Sequence, residues 1–170
     1  VDSGETILER GRTALELGFT PIAHAIGDAA NRTVLDAFEK LAPLANARGL
    51  RLRLEHAQHL HPDDLPRFGR LGIVPGMQPV HIPSDTRNID ALLGPARANT
   101  SYAFRNLIDS GATIALGSDA PVATPDPILG FAAAIDRQTP NGKPWHPEQA
   151  LTRLETLLGY TRNAAFAAGW

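Results

Sequence analysis

The sequence predicts an α/β fold built from βαβ units around a parallel sheet. Three observations carry that prediction. Helix-period and strand-like segments alternate along the chain, and the strand-like runs are short, apolar and bounded by Gly, Pro or Asp. Three of those runs also end in a metal-capable side chain: His24 in TPIAHAIGD, His56 in LRLEHAQ and Asp119 in TIALGSDAPV. Parallel strands point the same way, so the residues at their C-terminal ends meet at one rim however far apart they lie in sequence.

The first predicted helix covers Ser3 to Leu17, with Ser3 as N-cap and Gly18 as the stop. A strand follows at Pro21 to Ile26. Asp28 is expected to cap a long amphipathic helix in which Ala30, Val34, Phe38, Leu41 and Ala45 recur at helical spacing, and Gly49 ends it. In the second strand, Arg51 to His56, leucines alternate with arginines. Pro62 opens a short helix holding Leu65, Phe68 and Leu71. The third strand, Ile73 to Gln78, contains Pro75 and Gly76, which weaken the strand signal. Val80 to Thr100 is rich in Pro, Asp and Asn and is expected to form a long excursion above the sheet. A helix from Tyr102 to Ser110 leads to the fourth strand, Ala112 to Leu116, which runs into GSD. Helices are then predicted over Pro125 to Arg137 and, after the TPNGKP turn, from Pro147 to about Ala168.

Composition narrows the function. The chain has 170 residues, 43% of them hydrophobic and 20% charged, which suits a single globular domain with a buried core. A net charge of −2 with scattered Lys and Arg gives no footprint for nucleic acid or an anionic membrane. With no cysteine, disulfides and thiolate metal sites are excluded, so any metal must be held by nitrogen and oxygen donors. No apolar run approaches the roughly 18–20 residues of a membrane span, and the N-terminus does not resemble a signal peptide. A cytoplasmic location and a small-molecule substrate are therefore expected. Phosphate loops of the Walker or dinucleotide type are absent, as is a GxSxG nucleophile elbow.

Each candidate ligand also has an ordinary structural reading. His24 can pack between Ala23 and Ala25 and bond a carbonyl. His56 follows Glu55, and pleating sends the two side chains to opposite faces. Asp119 can cap the segment after it. Their equivalent positions at three strand ends favour the site reading. His59 and His61 fit a solvated loop or a helix start, and His146 a helix start. Asp63, Asp64 and Asp85 read as capping or surface carboxylates, and His81 lies where substrate contacts are expected.

Four segments, HAIGDAANRTVLDAFE, RLRLEHAQHLHPDDLPRFGRLGI, GMQPVH and YAFRNLIDSGATIALGSDAPV, together resemble the amidohydrolase superfamily, in particular its branch of metal-dependent hydrolases related to N-substituted formamide deformylase. The resemblance runs from about Ala14 to Gly169. It implies a TIM (β/α)8 barrel, of which this chain holds strands five to eight with their helices, and a divalent metal centre of one or two ions, usually zinc. His24 and His56 match the family's metal-binding histidines on the fifth and sixth strands, and Asp119 its eighth-strand aspartate. The resemblance assigns Asp119 both contact with the metal site and proton shuttling, and it places His81 on the seventh strand's loop.

The family's first-strand His-x-His pair and its fourth-strand bridging residue have no counterpart here. A full barrel takes about 250 residues. The chain is thus expected to be the C-terminal half of a barrel, without the upstream half or the accompanying β-sandwich. Alone it is expected to bind a divalent ion weakly or not at all and to be inactive, the amide-hydrolysing activity belonging to the parent protein. Its open sheet edges are expected to favour self-association. The alternative is a non-catalytic α/β binding module with an open, doubly wound sheet.

Overall fold

Four short strands form one parallel sheet in the computed structural model, which describes residues 2–170: β1 (Ile22–Ala25), β2 (Arg53–His56), β3 (Val74–Met77) and β4 (Ala115–Leu116). Their spatial order is β1-β2-β3-β4, so each strand pairs with its sequence neighbour. A doubly wound sheet reverses its order partway, and this one does not. With right-handed crossovers, a sequential order places the crossover helices on one side of the sheet, which is the arrangement of a barrel arc.

The helices follow the predicted alternation. Helix α1 (Gly4–Glu16) starts as expected, the Ser3 hydroxyl accepting from the Thr6 N–H at 3.2 Å. Helix α2 (Asp28–Ala47) differs at its start: Gly27 is the N-cap, and Asp28 sits in the first turn. The Asp28 carboxylate accepts from the Ala29 N–H at 2.9 Å and takes both Nε and Nη2 of Arg97 at 2.9 Å. A 3-10 turn, Pro62–Asp64, leads into α3 (Leu65–Leu71).

The Val80 to Thr100 excursion is largely helical. A 3-10 turn at Pro79–His81 is followed by α4 (Ile82–Asp85), α5 (Ile89–Leu93) and α6 (Pro95–Ala98), whose buried Ile82, Ile89 and Ala98 join the core. Helices α7 (Phe104–Asp109) and α8 (Pro127–Asp136) flank β4. The single C-terminal helix expected from Pro147 is instead three pieces: a 3-10 turn Pro147–Gln149, α9 (Arg153–Tyr160) and α10 (Arg162–Ala167). Thr152 and Glu155 form a reciprocal capping box that starts α9 afresh, and Thr161, at φ −123° and ψ −93°, breaks the helix again.

Strand register sorts the side chains. Leu54, Met77 and Leu116 face the helices and pack with Leu35, Phe38, Leu41, Phe68, Phe104 and Leu107 in the main core. The opposite face carries His24, Glu55 and Gly76 in one cross-strand row, with Val74 and Ala115 packed on Ala167 of α10. Pro75 and Gly76 do not interrupt β3, which pairs on both sides. Gly76 has a packing reason to lack a side chain, because the Glu55 carboxylate lies directly over it.

Candidate metal centre

His24 lies near the end of β1 and His56 is the last residue of β2. Pleating alone would send His56 to the helix side with Leu54. The backbone of His56 is left-handed, at φ 77°, as is that of Ala57 at φ 47°, and the chain turns sharply there. The His56 ring meets the His24 ring with centroids 4.2 Å apart, edge to face. Asp119 lies beyond β4 with φ 60°, again left-handed, and its Oδ2 stands 3.9 Å from Nε2 of His81. A left-handed conformation at a residue with a side chain is strained and gathers at functional sites.

His56 is buried, and its pKa is lowered chiefly by that burial and next by the neighbouring His24; the Asp119 and Glu55 carboxylates pull it the other way, and His81 again lowers it. The structure therefore brings His24 to His56 and His81 to Asp119, two pairs beyond the C-terminal ends of the strands. Among the described residues, no three His, Asp or Glu side chains converge on a common point at ligating spacing. The donor set nonetheless suits a divalent ion. Nδ1 of His56 is buried with no hydrogen-bond partner, and burial favours the neutral imidazole that ligation requires.

Several supporting residues escape a reading of the sequence. Asn31, fully buried in α2, donates through Nδ2 to the carbonyls of Ile26 (3.0 Å), Gly27 (2.9 Å) and His59 (3.2 Å), tying the exit of β1 to that of β2. His59, expected in a solvated loop, is half-buried, its Nδ1 2.8 Å from Oγ of Ser101. Asp64 is not a surface carboxylate, and Asp85 is half-buried. Asp64 is buried between Arg32 (2.9 Å) and Arg67 (3.0 Å), and Asp85 accepts from the Tyr102 hydroxyl at 2.5 Å. His61 and His146 do stand at helix starts, each preceding a 3-10 turn.

Active sites of barrels built this way lie at the C-terminal ends of their strands, where this arc carries the His24–His56 and His81–Asp119 pairs. The family model for the amidohydrolase family matches residues 2–170, and the chain belongs to that family. It is 40% identical over 153 residues to Protein LONG AFTER FAR-RED 3 of Arabidopsis thaliana, covering 89% of this chain and 26% of that protein. It is 32% identical over 157 residues to the N-substituted formamide deformylase of Arthrobacter pascens, covering 92% of this chain and 29% of the relative. The crystal structure of an uncharacterized metal-dependent hydrolase from Pyrococcus furiosus superposes with a TM-score of 0.83 at 30% identity, over 98% of this chain and 33% of that one. The chain thus spans about a quarter to a third of the length of these relatives.

Proposed function

We propose that this chain supplies part of the active site of a metal-dependent amidohydrolase that cleaves an amide or related C–N bond in a small molecule. The observation that carries the reading is the His24–His56 ring contact at adjacent strand ends, with the buried Nδ1 of His56 left unpartnered. His24, His56 and Asp119 would hold one divalent ion, zinc being a metal that suits imidazole and carboxylate donors. When bound, such an ion makes hydroxide available near neutral pH. The Asp119 carboxylate, 37% exposed at the rim, takes the proton from the attacking water and returns it to the departing amine. His81, 3.9 Å from Asp119, faces the same space and orients the substrate carbonyl.

Zinc titration by calorimetry tests this reading, on the chain and on a version extended to the length of its relatives. Saturable binding to the extended protein, weakened at least about tenfold by His56→Ala, is the expected result. No zinc binding by the extended protein would remove the basis of the proposal.

Self-association is a second reading, favoured by a specific feature. Beside β1, at one open edge of the sheet, Leu17 (69%), Phe19 (66%) and Ile22 (54%) are exposed, and Ile128 (67%) and Leu129 (55%) are exposed on α8, which follows β4 at the other edge. Exposed apolar side chains and unpaired strand edges recruit a second chain. A sedimentation coefficient that rises with concentration is expected, and a constant monomer value at high micromolar concentration would overturn it.

A further inference from the structure

Behind the rim lies a polar cluster that the hydrolytic reading does not use. Tyr102 is fully buried and left-handed, at φ 49°. Its N–H donates to the Gln58 carbonyl at 2.6 Å, and its own carbonyl accepts from Nη1 of the buried Arg137 at 3.0 Å. Its hydroxyl donates to Oδ2 of Asp85 at 2.5 Å and accepts from Nε2 of Gln58 at 2.6 Å, while the same Gln58 nitrogen reaches Oδ2 of Asp85 at 2.8 Å. Three side chains from three segments thus close a triangle around one carboxylate oxygen. Burial, and then the bond to Asp85, push the phenol pKa well above its usual value, so it stays a donor.

The triangle sits where two candidate site segments pass. Gln58 follows the left-handed pair His56 and Ala57, and Asp85 ends the helix α4 that begins directly after His81. We infer that Tyr102, Asp85 and Gln58 are positioning residues that fix the strand-end turn carrying His56 against the segment carrying His81. The inference rests on the proposed roles of those two histidines. Side-chain hydrogen bonds that orient the ring-bearing backbone act as the outer support of a site, and losing such support typically weakens metal binding by about 10–100-fold.

The test is NMR of 13C-histidine-labelled protein at fixed pH, without metal and with zinc, on a version extended to the length of its relatives. Tyr102→Phe and Asp85→Ala are expected to shift or broaden the ring Cε1–H signals of both His56 and His81 in the metal-free state, and to weaken zinc binding at least about tenfold. Asp85→Asn is expected to restore the parent positions, because one amide oxygen can accept both the Tyr102 and the Gln58 bonds. Leu41→Ala, which opens the core in α2, serves as a control for lost stability and is expected to leave the ring signals in place. Parent-like spectra for Tyr102→Phe and Asp85→Ala would overturn the inference, as would equal shifts in Leu41→Ala or failure of Asp85→Asn to restore them. If the parent binds no zinc, the hydrolytic reading falls, and the metal-free spectra still decide the positioning role.

Discussion

Gly76→Ala is expected to destabilise the protein through Glu55. A methyl group on Gly76 would stand 2.6 Å from both Oε1 and Cδ of Glu55, and closer still to Oε2. Ordinary contact begins near 3.5 Å, so the carboxylate must retreat by about 1 Å. The backbone cannot yield instead, since β3 is paired to β2 and β4 on its two sides. Retreat strains the 2.6 Å ion pair between Glu55 and Nη2 of Arg53, whose Nε is already buried without a partner. Overpacking costs about 1–3 kcal/mol, and the disturbed pair, about three-quarters buried, adds about 1 kcal/mol, for a loss of about 2–4 kcal/mol. Urea unfolding of Gly76→Ala, Glu55→Ala and the double variant checks the assignment. In the Glu55→Ala background the glycine substitution is expected to cost less than about 0.5 kcal/mol, because alanine is not worse than glycine in a strand once space is free. An equal cost in both backgrounds would refute the argument and place the strain elsewhere.

Two further outcomes concern the frame that holds the rim. The Glu155 carboxyl is drawn down to about 2 from an ordinary 4.5, first by its hydrogen bonds from Arg105 at 2.6 and 2.8 Å and then, against the opposing effect of burial, by the bond from the Thr152 N–H. A folded pKa below the unfolded one contributes stability above about pH 4.5 that disappears as pH falls toward about 2. The stability gap between the parent and Glu155→Gln, about 1–2 kcal/mol at pH 7 after allowing for the partial exposure of the pair, is expected to close over that window in urea titrations. A gap that stayed constant to pH 2 would contradict the assignment. Gly69→Ala places a methyl 2.6 Å from the Ser110 carbonyl carbon and nearer its oxygen, a backbone clash with no side chain to move, so a loss of at least about 3 kcal/mol is expected. Gly117→Ala, with nothing within 4 Å, serves as the comparison, and near-parent stability for Gly69→Ala would show that α3 can shift away from the Ser110 turn.

Much of this frame was legible because period and punctuation agree. The alternation in LRLEH gives β2, the Ser3 cap gives the start of α1, and the glycines after α1, α2 and α3 stop the helices where the chain turns left-handed. The nearness of His24 to His56 was legible from strand ends, since parallel topology brings such ends together, whereas the pairing of His81 with Asp119 was not drawn from the sequence. The break in the C-terminal helix was signalled by Thr152 and Glu155, a capping-box spacing inside an otherwise helical run. Asp28 misled because the residue before it, a glycine, can cap without a side chain. The Gln58–Asp85–Tyr102 triangle left no local trace. Its partners are 17 to 44 residues apart, and a half-buried, hydrogen-bonded Asp and a solvated loop Asp look the same until tertiary structure surrounds one of them.

The distribution of strain gives the site its logic. Among the described residues with side chains, positive φ occurs at His56, Ala57, Tyr102, Asp119, Arg137 and His146. His56 and Asp119 are themselves candidate donors, Ala57 adjoins one of them, and Tyr102 bonds to the segment beyond it. Each left-handed residue costs on the order of 1–2 kcal/mol, a cost the unfolded chain escapes. Such conformations persist only where surrounding bonds outweigh them. At β2 those bonds are Ala57 N–H to Ala25 O at 3.1 Å, His59 N–H to Ile26 O at 3.0 Å, the Asn31 staple and the Tyr102 triangle, all on backbone or side chains rather than on the His56 ring. The ring's Nδ1 is buried and takes part in none of these bonds. Hydrogen bonds in the frame thus hold a strained backbone in place without engaging that ring nitrogen, which is the condition the proposed metal-binding role of His56 would need.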